Sequence, residues 1–105
     1  MKVTYRHQAE DDLIRQFRYY LVTMDVPKIA IRFRRAFGVT VEALRQHPFK
    51  GPHYPLRNPR LQNLRSWPVA GFAAIRIYYI AETGSLRLIR ILHEKRDVRR
   101  ILEKE

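Results

Sequence analysis

The chain has 105 residues, enough for one domain around one hydrophobic core and too few for two, and it has no cysteine, which excludes disulfides and thiolate metal sites. It carries 21 Lys and Arg against 10 Asp and Glu, a formal net charge of +11, so the expected partners are acidic: nucleic acid through its phosphates, or an acidic protein segment. No apolar leader follows Met1 and no run of about 20 apolar residues occurs, so the chain reads as cytoplasmic, with no membrane partner.

Lys2 to Arg6 alternates, with Val3 and Tyr5 on one side, and predicts a short strand. The period then changes. Ala9, Leu13, Phe17, Tyr20, Leu21 and Met24 recur at three- and four-residue steps, with Asp11, Asp12, Arg15 and Arg18 on the other side. This predicts an amphipathic helix with acids in its first turn, where the macrodipole favours them. Asp25-Val26-Pro27 ends it and starts a second helix, whose apolar stripe is Ala30, Phe33, Phe37, Val41 and Leu44 and whose stop is Gln46-His47-Pro48.

Two such helices joined by a few residues form a hairpin whose apolar faces need a surface to cover. Pro48 to Pro59, rich in proline and glycine, reads as an irregular loop of functional length. Three strands follow, at Leu61 to Trp67, Phe72 to Ala81 and Leu86 to Leu92, with Glu82-Thr83-Gly84-Ser85 as a tight turn between the last two. Asp97 is placed to cap a final short helix, Val98 to Lys104. The predicted fold is α+β, one domain over residues 1–105: an N-terminal strand, a two-helix hairpin, a three-stranded antiparallel C-terminal sheet and a short C-terminal helix.

Sixteen of the 21 basic residues are arginine, and Arg65, Arg76 and Arg90 lie inside strand patterns. An unpaired charge inside a sheet costs several kcal/mol, roughly, so each needs a partner or a polar groove. Ile75, Ile77 and Tyr79 alternate with Arg76 and Tyr78, which predicts the first set against the helices and Arg76 and Tyr78 on the opposite face. Arg65 shares a side of its strand with Trp67. One register would gather Arg65, Arg76 and Arg90 into a groove; in another, the arginines reach sheet edges and pair with Glu82, Glu94 or Asp97. His47 and His53 flank the loop too irregularly to form a metal pair.

The order of these features resembles the RelE/ParE toxin family along nearly the whole chain. The marks are Ala9 and Asp12-Leu13, Pro27 and Phe33, Leu44 with Pro48 and Gly51, Leu64-Arg65 with Val69, Arg76-Ile77-Tyr78-Tyr79, and Leu92-His93 with Arg96-Asp97. His7 departs from the pattern, standing where relatives place a capping serine or threonine. The resemblance implies one of two functions. A RelE-like protein cleaves mRNA on the ribosome, and here Arg76 and Arg96 match phosphate-binding positions, with His93 as the substitute base and Asp97 orienting it. A ParE-like toxin of a plasmid stabilisation system instead binds DNA gyrase without cleaving a bond and is held inactive, as a hetero-oligomer, by a ParD-type antitoxin.

Nuclease members of the family usually carry a Tyr or His near the C-terminus as acid or base, and neither follows His93. The ParE-like branch is therefore favoured, with no catalytic residue and no cofactor or metal expected, and with His93 and Asp97 structural. The candidates for target or antitoxin binding are Arg65, Trp67, Arg76, Tyr78, Arg90, Arg96 and Arg99.

Overall fold

A computed structural model describes residues 1–105. Strand β1 spans Lys2–Tyr5, helix α1 His7–Arg18, helix α2 Pro27–Gln46, strand β2 Arg65–Val69, strand β3 Phe72–Glu82, strand β4 Ser85–His93 and helix α3 Val98–Glu103. The four strands form one sheet in the order β1-β4-β3-β2. β2, β3 and β4 are antiparallel neighbours, as the hairpin signal predicts. β1 joins them as a fourth strand, parallel to β4, with Lys2 opposite Ser85 and Tyr5 opposite Leu88.

Two boundaries differ from the sequence expectation. The first helix widens after Arg18 into a π-helical turn, Tyr19–Thr23, closed by the Met24 amide donating to the Tyr19 carbonyl at 2.9 Å. The wider turn rotates the stripe, so Leu21 and Met24, expected in the core, are 38% and 53% exposed. The strand predicted from Leu61 begins at Arg65, because Asn58 caps a 3₁₀ turn, Pro59–Leu61, and Asn63 takes a left-handed φ of 63°. At His7 the missing cap is real: Arg6, in the capping position, makes no side-chain hydrogen bond to the helix.

The sheet is covered on both faces. Against the helical hairpin lie Ile75, Ile77, Tyr79, Leu86, Leu88 and Ile91, packed on Phe33, Phe37, Val41 and Leu44. On the other face Tyr78, Ile80, Ile89 and Leu92 pack under Leu61, Leu64, Val98 and Leu102. The open polar groove expected there does not exist, because the end of the proline-rich loop and α3 close over it. Glu103 fastens them together, its carboxylate accepting from the Arg57 and Asn58 amides at 2.9 and 2.8 Å. The Asn58 amide group in turn donates to the carbonyls of Leu102 and Glu105.

Tyr78 is consequently a core residue, 2% exposed, its ring edge-on to Tyr54. Burial is the main force pushing its phenol from the usual 10.0 up to about 12. A raised folded-state value means stability is fully present below pH 10 and lost between about pH 10 and 12, where the unfolded chain ionises and the folded one resists. Tyr78→Phe is expected to move the alkaline unfolding midpoint to higher pH in a circular-dichroism titration. An unmoved midpoint would show that this phenol does not govern alkaline unfolding.

Candidate functional site

β4 carries a bulge. Tyr78 pairs with Arg90 and Tyr79 with Leu88, so Ile89 is an extra residue and the two successive side chains Ile89 and Arg90 turn to the same face. The displaced Arg90 lies at the edge of β4 beyond the end of β1. There it meets Asp12 of α1 in a two-pronged contact, Nε to Oδ2 at 2.7 Å and Nη2 to Oδ1 at 3.0 Å, and its Nη1 donates to the Glu105 carboxylate. The Asp12 Oδ2 also accepts from the Ile91 amide at 3.0 Å, taking the place of the missing strand partner. These contacts lift the Arg90 guanidinium well above its ordinary value, the Asp12 hydrogen bonds first and Glu105 after, against the opposing effect of burial. Arg90 is thus an internal clip between α1, β4 and the C-terminal segment, and Asp12, read from the helix period as a surface acid, is buried.

Arg65 is also occupied. Register places it opposite Tyr79 and Trp67 opposite Ile77, on the hairpin side of the sheet. Its Nη1 donates to the carbonyls of Phe49 and Gly51 at 3.1 and 2.8 Å, Nη2 lies 3.1 Å from the His53 Nε2, and the guanidinium stacks over the Phe49 ring. Tyr79 pins the same segment from below, its hydroxyl donating to the Pro48 carbonyl at 2.8 Å and accepting from the Gly51 amide at 3.1 Å. The half-buried Trp67 carries the Lys50 ammonium over its ring. Phe49, Lys50 and Gly51 belong to the loop that proline and glycine marked, but nothing in the residue pattern singled out Phe49.

Arg76 lies on the opposite face, across from Pro68 and Leu92, with Nη2 donating to the buried Ser66 hydroxyl at 3.0 Å. Arg65, Arg76 and Arg90 therefore do not share a groove: Arg65 and Arg76 sit on opposite faces, and Arg90 is sealed at the β4 edge. His93 faces Ile75, on the hairpin side and away from Arg76, and its Nδ1 accepts from the Lys95 amide at 3.1 Å. Asp97 caps α3 through the Arg100 amide, at 3.4 Å, and does not orient His93. Arg96 is exposed with no carboxylate partner, while Arg99 donates to the Pro55 carbonyl and stacks on Tyr54.

The outer surface of the helical hairpin carries a second cluster of exposed apolar and basic side chains. Ile14, Ile31 and Val39 are each more than half exposed, with Arg34 and Arg35 exposed among them. A cleft of about 250 Å³ opens between the helices over Leu13, Ile14, Phe17, Phe33 and Arg34. An apolar strip flanked by uncompensated guanidinium groups suits an amphipathic acidic segment.

No curated protein matches the sequence. A solved structure described as the chromosomal ParDE TA system from P. aeruginosa is similar in fold, with a TM-score of 0.69 and 18% identity over 89% of this chain and 95% of that one. The family described as ParE toxin of type II toxin-antitoxin system, parDE, matches residues 3–98, from β1 to the first residue of α3. Because that match spans far more than half of the sequence, the chain belongs to the ParE toxin family of type II toxin-antitoxin systems.

Proposed function

We propose that this protein is the toxin of a ParDE pair, that it arrests its target, DNA gyrase, by binding rather than by bond cleavage, and that a ParD-type antitoxin neutralises it. The observation that supports binding over cleavage is the register of β3 against β4. Phosphodiester cleavage needs a proton acceptor and a phosphate-holding cation converging within hydrogen-bond reach of one reacting centre. Arg76 and His93 instead point from opposite faces of the sheet, and the His93 Nδ1 is occupied by a backbone amide.

The antitoxin segment is assigned to the hairpin surface. A disordered acidic chain that folds on binding gains apolar burial over Ile14, Ile31 and Val39 and charge pairing with Arg34 and Arg35, which offsets its ordering cost. The deciding experiment is controlled expression without antitoxin, with a supercoiling assay on purified gyrase and a primer-extension map of cellular mRNA. Lost supercoiling with intact transcripts is expected. Ribosome-phased cuts with intact supercoiling would instead establish an mRNA endonuclease and make Arg76, Arg96 and His93 the residues to mutate.

A further inference from the structure

The segment Pro48 to His53 is held unusually firmly for a surface loop. Tyr79 fixes its first and fourth residues from inside the core, and Arg65 fixes the Phe49 and Gly51 carbonyls from the side. Gly51 is buried so tightly that a Cβ would come within 2.6 Å of the Tyr79 hydroxyl and 2.7 Å of the Ser66 carbonyl. The product of all this fixation is an exposed aromatic. Phe49 is 64% exposed, as much as any large apolar side chain in the protein, and its ring is steadied by the Arg65 guanidinium 5.1 Å away.

An aromatic ring whose backbone and one face are already immobilised loses little further freedom on entering a pocket, which is the property of an interface anchor. The surroundings define the partner's charge. No Asp or Glu occurs between Glu42 and Glu82, and Lys50 and His53 stand beside Phe49 and Arg65. The same contacts argue against nucleic acid as the occupant. The Arg65 Nη1 is taken up by two carbonyls and its Nη2 lies against the His53 ring, so the Nη1–Nη2 fork is filled from within, and the Phe49 and Trp67 rings each already carry a cation on one face.

We propose that the Pro48–His53 loop is the tip with which this toxin engages its protein target, Phe49 entering an apolar pocket rimmed by carboxylates, with Lys50 meeting that rim. The assignment rests on the toxin reading above but not on gyrase being the target. It separates the target-facing tip from the antitoxin-facing hairpin surface.

The test uses the full chain, Phe49→Ala and Lys50→Glu, with four readouts: growth arrest on induction, the concentration that halves gyrase supercoiling, affinity for the cognate ParD-type antitoxin, and thermal melting. Phe49→Ala is expected to weaken arrest and supercoiling inhibition tenfold or more, and Lys50→Glu severalfold, with antitoxin affinity within twofold and melting unchanged. Arrest as strong as wild type in both variants would overturn the proposal. So would a parallel loss of antitoxin affinity, which would assign the tip to the antitoxin interface, or a loss of single-stranded RNA binding that the wild type shows. If the wild type arrests growth but leaves gyrase untouched while Phe49→Ala fails to arrest, the gyrase assignment falls and the tip stands.

Discussion

Asp12→Ala is expected to cost the fold about 3–5 kcal/mol, because it leaves Arg90 charged and desolvated with half its partners gone. The pair is almost sealed from solvent, Arg90 being 12% exposed and Asp12 2%, so screening by water offers little relief. The same change strips the Ile91 amide of its only acceptor at the point where β1 ends and no strand takes over. Arg90→Met on its own leaves Asp12 buried, with the Ile91 amide and the more distant Arg15, at 3.9 Å, as its remaining contacts. The double variant Asp12→Leu, Arg90→Met removes both charges together and is expected to be more stable than Asp12→Ala, since a buried pair is replaced by apolar packing instead of being broken. Urea denaturation of the three variants measures the difference. Equal losses in Asp12→Ala and the double variant would mean that the Ile91 amide, not the charge, dominates.

Gly51→Ala is expected to destabilise by about 1–3 kcal/mol, since one of the two atoms its Cβ would strike, the Ser66 carbonyl, belongs to a strand backbone that cannot step aside. For a domain of this size that is a fall in melting temperature of roughly 4–8 °C per kcal/mol. Tyr79→Phe tests the same anchorage by another route. It keeps the ring in the core but leaves the Pro48 carbonyl and Gly51 amide without their shared partner, at about 1–3 kcal/mol for a buried unsatisfied group. Amide hydrogen exchange is expected to quicken at Gly51 in Tyr79→Phe while the β3–β4 ladder stays protected. Uniform quickening throughout the sheet would show that the loop and the sheet open as one unit.

The periods of three to four in Ala9 to Phe17 and Ala30 to Leu44, and the alternation through Ile75, Ile77 and Tyr79, were sufficient to draw the hairpin and the central strand. They report local geometry, which is why they carried so far. What they could not report is which remote segments meet. The parallel docking of β1 on β4 is chosen by neither strand alone. Nor could alternation through Leu86 to Leu92 reveal the bulge that turns Ile89 and Arg90 the same way and so decides the partner of Arg90. The premise that strand arginines need partners was sound, but their partners were backbone carbonyls, a serine hydroxyl, and acids at Asp12 and Glu105, none of them near in sequence. For that reason Arg65, Arg76 and Arg90 do not gather into one groove. At Val98 and Leu102 the pattern announced a helix without announcing that it would close the face where a groove was expected.

The clip between Asp12 and Arg90 also sets an order of events during synthesis. The two residues are 78 positions apart. At about 5–20 residues per second, a ribosome needs roughly 4–16 s after making Asp12 to deliver its arginine. Over the later part of that interval, once Gln46 has been added, the helical hairpin is already translated, while the strands that would carry and pin Phe49 are incomplete. A growing chain therefore displays the surface assigned to its antitoxin before it possesses the tip assigned to its target, and a resident antitoxin has the first opportunity to bind.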